Sequence, residues 1–84
     1  MPVDGTLDLH TFEPKDVKDL VETYIDECLE RGITEVRIIH GKGTGTLRRA
    51  VRVFLGDHPL VSSYDPGGAR EGGEGVTIAR LVSG

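Results

Sequence analysis

"TLDLHTFEPKDVKDLVETYIDECLERGITEVRIIH", residues 6–40, reads as a strand, a helix and a second strand, and that succession decides the fold. In "TLDLH", Leu7 and Leu9 alternate with Asp8 and His10, and successive side chains of a strand point to opposite faces. From Pro14 the period changes. Val17, Leu20, Val21, Tyr24, Ile25, Cys28 and Leu29 recur at i, i+3, i+4, i+7 spacing, which makes one apolar stripe on an amphipathic helix. Pro14 suits the first turn, where its missing N–H is not needed, and Gly32 suits the position just past the end. "EVRIIH" then returns as a β-branched strand. A unit of this size produces parallel neighbours through a right-handed crossover.

Working outward, Leu47, Ala50, Val51, Phe54 and Leu55 form the inner face of a second helix, with Thr44 or Thr46 as its cap and Gly56 and Pro59 closing it. "LVSSYD" and "VTIARLV" read as two more strands, naturally antiparallel, joined by "PGGAREGGEG", a glycine-rich loop over 66–75 expected to be flexible. The order is βαβαββ. The expected architecture is a two-layer α/β sandwich with a mixed four-stranded sheet and two helices, one domain over 1–84 with its core over about 6–82.

A chain of 84 residues hides only about 60% of its unfolded surface, so the core is expected to be thin. The single cysteine, Cys28, lies on the helix stripe and reads as a small buried apolar residue. No segment approaches the length of a membrane span and the start lacks a leader pattern, so the expected setting is cytoplasmic, with no membrane partner. The net charge of −4 argues against a general polycation, but the charges are segregated. Eight acids crowd residues 13–35; none falls between Val36 and Gly56, where Arg37, Lys42, Arg48, Arg49 and Arg52 lie. Such asymmetry gives one face an anion-attracting potential, or else marks two solvated helix faces of opposite sign.

The glycine run "HGKGTGT" at 40–46 is neither a Walker loop, since no hydroxyl residue follows Lys42, nor a dinucleotide fingerprint, since the spacing Gly41, Gly43, Gly45 is wrong. What remains is a strand, glycines and a helix N-terminus. That arrangement lets backbone approach an anion and leaves first-turn N–H groups facing it; it equally describes a tight turn using glycine for positive φ. His10 and His40 tip the balance toward function. If their strands are parallel, both imidazoles reach one carboxyl edge of the sheet, with Asp8 on His10's face, and Lys42, Arg48 and Arg49 add positive charge. His58, beside Pro59 in a turn, reads as structural.

Three stretches, "LDLH", "IIHGKGTGTLRRAV" and "GGEGVTIARLV", together resemble the small MutS-related, or Smr, domain, from about Leu7 to Val82. The resemblance implies a sheet-and-helix fold similar to the C-terminal domain of a bacterial translation initiation factor, and endonuclease activity on DNA or RNA. It implies DNA nicking with little sequence specificity, linked to recombination suppression or repair, in the MutS-like members, and cleavage of mRNA or action on stalled ribosomes in others. Smr domains occur alone or at the C-terminus of larger proteins, and a chain ending just after its last strand is expected to be a piece fused to a larger dimeric ATPase. The family motifs map onto Asp8 and His10, and onto His40, Gly41, Lys42 and Gly43, with Arg48 downstream. One position departs: the first motif usually continues with glycine, and here Thr11 is expected to narrow the cleft or alter the turn.

Phosphodiester cleavage needs a nucleophile deprotonated, a leaving oxygen protonated and charge stabilised on the phosphoryl group. Asp8, His10 and His40 are therefore the expected catalytic residues, the two imidazoles as base and acid and Asp8 as orienter or metal ligand. Gly41, Lys42, Gly43, Gly45, Arg48 and Arg49 are expected to hold the phosphate. A divalent ion such as magnesium is a possible cofactor, although a lone carboxylate is a poor site for it. The expected partner is DNA, branched or duplex, with RNA or the ribosome as the alternative. The competing class is a binding module without chemistry, whose affinity falls steeply with salt and survives loss of His40. Among the aromatics, Tyr24 and Phe54 lie on helix stripes and only Phe12 and Tyr64 remain, so backbone recognition is expected over base reading. Arg70 is expected to be a solvated loop charge.

Overall fold

The computed structural model describes residues 3–41, 43, 45–68 and 73–82. The elements run β1 (Thr6–Asp8), α1 (Val17–Glu30), β2 (Glu35–Ile39), α2 (Thr46–Asp57), β3 (Val61–Pro66) and β4 (Val76–Leu81), with single 3-10 turns at Pro14–Asp16 and Gly73–Gly75. This is the expected α/β sandwich with its mixed sheet. Helix α1 ends where the sequence says it should. Gly32 adopts φ 76°, the Ile33 N–H bonds to the Cys28 carbonyl at 2.8 Å and the Gly32 N–H to Leu29 at 3.1 Å, a paired closure that satisfies the last carbonyls.

The strand order is β1-β2-β4-β3. β1 lies parallel to β2 in the register Asp8↔Ile39, and β4 is antiparallel to both β2 and β3. The last strand thus inserts between β2 and β3 instead of extending the edge. Leu7, Leu9, Val36, Ile38, Ala79 and Leu81 share one core with Val17, Val21, Ile25 and Cys28 of α1 and Val51 and Leu55 of α2, so both helices cover the same face and the molecule has two layers. Cys28 is fully buried in that core, and burial pushes its thiol pKa up, as its apolar reading required. The Tyr24 hydroxyl donates to the Thr6 carbonyl at 2.8 Å and accepts the Gly5 N–H at 3.1 Å, pinning α1 to the first strand.

The loop expected to be flexible over 66–75 divides. Pro66 belongs to β3, the Gly67 N–H bonds to the Val76 carbonyl at 2.9 Å, and Gly73–Gly75 form a turn whose last carbonyl accepts both His40 N–H and Gly41 N–H at 3.0 Å. Residues 69–72, Arg70 among them, lie outside the described residues. The described ends of the loop are therefore tied into the sheet by backbone hydrogen bonds, and one of them supports the site.

Candidate active site

Because β1 and β2 are parallel neighbours, the segments leaving their carboxyl ends emerge side by side. His10, Phe12, Glu13, His40, Gly41, Gly43, Gly45 and Arg48 all line one hollow of about 390 Å³, which Pro14, Thr46 and Leu47 complete. The two imidazoles and the glycine run do converge. Lys42 lies outside the described residues, and Arg49 faces the neighbouring groove instead of this hollow.

His10 stands on a turn closed by the Phe12 N–H on the Leu9 carbonyl at 2.9 Å. Asp8 shapes that turn, since its Oδ1 accepts the His10 backbone N–H at 3.0 Å and the ring Nδ1–H at 2.5 Å. A carboxylate is acceptor-only, so this contact fixes the proton on Nδ1 and leaves the Nε2 lone pair outward. These hydrogen bonds, the backbone one first, hold the Asp8 carboxyl below the usual aspartate range. The Thr11 departure costs the backbone nothing: no described non-glycine residue has positive φ, and Thr11 does not line the hollow.

His40 is in a different state. It is 4% exposed, its Nδ1–H donates to the Gly41 carbonyl at 3.0 Å, and its Nε2 lies 2.8 Å from the Thr77 hydroxyl. A carbonyl can only accept, so the proton sits on Nδ1 and Nε2 accepts from Thr77. The Thr77 oxygen in turn receives the Arg52 Nε–H at 3.5 Å, a long contact. Burial, with added repulsion from Arg52 and Arg48, lowers the His40 pKa against the opposing pull of the Gly41 carbonyl and Glu74. His40 is thus a neutral ring with both nitrogens occupied, holding the start of the glycine loop against β4.

The glycine loop and helix form the remaining wall. Gly41 and Gly45 take φ 81° and 84°, the left-handed region; at Gly45 a Cβ would also stand 3.1 Å from an Arg48 guanidinium nitrogen. Gly45 is the N-cap of α2 and, being glycine, offers no side chain to the helix start. Thr46, one of the two expected caps, is the first helical residue and does not occupy the N-cap position; Thr44, the other, lies outside the described residues. The first residues of α2 line the hollow, where the helix dipole favours an anion.

Arg48 and Arg52 are not bare cations. Glu74, from the turn before β4, accepts Arg48 Nη1 at 3.1 Å, and its Oε2 lies 3.9 Å from Arg52 Nη2, a buried nitrogen without a hydrogen bond. Sequence reasoning isolated the basic stretch 36–56 from every acid; the fold returns one to it. For a divalent ion at Asp8 this arrangement leaves the second carboxylate oxygen, Oδ2, with water and phosphate oxygens to complete the shell. Asp8 Oδ1 is committed to two His10 donors, both His40 nitrogens are occupied, and among the described residues no three His, Cys, Asp or Glu side chains are placed to hold a metal.

A sequence model of the Smr domain matches residues 7–82. The chain belongs to the Smr domain family. Endonuclease MutS2 of Thermomicrobium roseum is 43% identical over 79 residues, 94% of this chain and 10% of that protein, so the chain spans about a tenth of the relative's length. The crystal structure of the Smr domain of Thermus thermophilus MutS2 matches with a TM-score of 0.89 at 33% identity, covering 94% of this chain and 99% of that one. YdaL, a stand-alone small MutS-related protein of Escherichia coli, matches with a TM-score of 0.86 at 27% identity over 95% of this chain and 66% of that one. Among the described residues of this Smr domain no helix is long and apolar enough to cross a membrane.

Thr77, Arg52 and Glu74 are the site residues that sequence reasoning missed. A faint signal existed, since Thr77 is the one hydroxyl on the core-facing register Thr77, Ala79, Leu81, and it is fully buried. What made it a partner of His40 is the β2–β4 register, Ile38↔Thr77, which no local pattern encodes. The lowered His40 pKa has a measurable sign. The unfolded chain's imidazole takes a proton near pH 6.5, the folded one only at lower pH, so the stability of the Smr domain is full above that value and falls as pH drops through it. Urea midpoints taken from about pH 8 to about pH 5.5 are expected to fall on the acid side. In His40→Gln that decline should flatten; an unchanged slope would assign the effect elsewhere. Asp8, with its lowered pKa, loses its contribution only as pH falls below about 3.9, outside this window.

Proposed function

We propose that this chain is an endonuclease domain that cleaves phosphodiester bonds, nicking DNA with little sequence specificity in recombination suppression or repair, as part of a larger dimeric ATPase. The observation that carries the reading is that His10, oriented by Asp8, lines one hollow together with the N-terminus of α2 and the glycine loop. Relatives named Endonuclease MutS2 support it.

In this mechanism His10 Nε2 accepts the proton of the attacking hydroxyl as its oxygen bonds to phosphorus, and the Asp8 carboxylate stabilises the imidazolium that results. The charge that develops on the non-bridging oxygens meets the amides at the start of α2 and the Arg48 guanidinium, released from Glu74 by the incoming phosphate; Lys42, Gly41, Gly43 and Gly45 complete the cradle. The leaving oxygen takes its proton from solvent. His40 acts as a positioning residue that keeps the loop in shape. On DNA the nucleophile is water; on RNA the 2′-hydroxyl can serve and leave a cyclic phosphate.

The test is digestion of branched DNA, duplex DNA and single-stranded RNA, with and without chelator, with the ends identified. Cleavage that persists in chelator is expected on DNA. Cyclic phosphate ends confined to RNA would move the activity to mRNA or ribosomal substrates, and binding without cleavage of any of the three would leave a docking module.

A further inference from the structure

A second hollow opens beside the first. It measures about 420 Å³, is lined by Gly45, Arg48, Arg49, Arg52, Val53 and Tyr64, and shares Gly45 and Arg48 with the His10 hollow. Three guanidiniums from one face of α2 thus border it. Arg49 makes no ion pair among the described residues, while Arg48 and Arg52 are turned to Glu74. Tyr64, on the edge strand β3, is 38% exposed, and its hydroxyl lies 3.6 Å from where a Cβ on Gly56 would stand, so the ring leans on the last turn of α2. Phe12, equally exposed, stands in the first hollow. Each hollow therefore presents one aromatic surface beside positive charge, and the hollows meet at the Arg48 side chain. Sequence reasoning discounted base contacts because the chain has so few aromatics; the fold puts its two exposed rings, one each, into the two hollows.

We propose that the Arg49–Tyr64 groove is a second nucleic-acid subsite, taking the nucleotide next to the cleaved phosphate from an unpaired strand. Its phosphate lies on Arg48 and Arg49 and its base stacks on Tyr64. The proposal rests on reading the His10 hollow as the phosphodiester site, and it narrows nicking at that site to a strand unpaired beside the cleaved phosphate, as at the junction of a branched duplex. Duplex bases are stacked on one another and offer only their edges, so an aromatic face of this kind recognises a base already free of its partner. A strand crossing both hollows also displaces Glu74, whose carboxylate stands on Arg48 where a phosphate would.

The experiment measures binding of this chain to fluorescent oligothymidylate of about ten nucleotides, which cannot pair with itself, and to a duplex of equal length. Tyr64→Ala is expected to weaken the single-strand affinity about 5- to 100-fold, the range of base–aromatic stacking, while Tyr64→Phe retains it. Arg49→Gln should reduce the slope of log affinity against log salt by about 0.7, one phosphate contact on a single strand. Wild-type affinity in Tyr64→Ala, or a duplex bound more tightly than oligothymidylate, would overturn the subsite. Cleavage is assayed in parallel. Cleavage intact with affinity unchanged in Tyr64→Ala removes the subsite alone, whereas affinity lost in Tyr64→Ala with no cleavage by the unaltered chain removes the catalytic reading and keeps the subsite.

Discussion

His10→Ala is expected to lower the single-turnover cleavage rate by about 100- to 10,000-fold, the contribution of a positioned general base. The magnitude follows from the geometry, because the ring is oriented through Nδ1 by Asp8 and leaves only Nε2 to take the proton. His10 and Asp8 are 61% and 48% exposed, and such a pair contributes under about 1 kcal/mol to stability. The urea midpoint should therefore barely move, which separates lost chemistry from lost folding. Asp8→Asn is expected to fall between, since an amide oxygen still accepts the Nδ1 proton but no longer stabilises an imidazolium. His40→Gln provides the contrast. It should alter stability and its pH dependence, with a smaller effect on rate because no free nitrogen of His40 meets the substrate. A rate unaffected by His10→Ala and abolished by His40→Gln would exchange the two roles.

Leu9→Ala is expected to destabilise the chain by about 2–5 kcal/mol, the usual cost of deleting a buried leucine and leaving its cavity. Leu9 is fully buried under the helices, while its neighbours Asp8 and His10 are exposed and bonded to each other, His10 lining the hollow. Its N–H bonds to the Ile39 carbonyl at 2.7 Å and its own carbonyl closes the His10 turn, so the same residue anchors the catalytic segment to β2. A domain of 84 residues has a total stability of about 4–13 kcal/mol, so this single change removes a large share of it. The melting temperature should drop by at least about 10 °C, and Leu9→Met, which keeps volume, should cost under about 1.5 kcal/mol. A melting temperature within a few degrees of the unaltered chain would mean that the core does not depend on this strand.

The elements were legible because each carries its own period. The stripe from Val17 to Leu29 could only be a helix, and Leu7/Leu9 against Asp8/His10 could only be a strand with one wet face. The meeting of His10 and His40 was legible at one remove, as a consequence of parallel pairing across a right-handed crossover. The difference between the two imidazoles was not. It arises from position past the strand ends: His40 continues the core-facing alternation of Val36 and Ile38 toward Thr77, while His10 continues the open-face alternation of Asp8.

By itself, then, the sequence determined the elements, their order, the end of α1 at Gly32 and the residues gathered at one sheet edge, because these follow from local spacing and from chain connectivity; α2 instead starts after Gly45 and runs through Gly56 to Asp57. Tertiary structure alone decided that β4 enters between β2 and β3, and with it that Thr77 meets His40 and Glu74 meets Arg48 and Arg52. Those contacts join residues 22 to 37 positions apart, and strand insertion is settled by burial of a whole face of the sheet, a quantity no short stretch of chain contains.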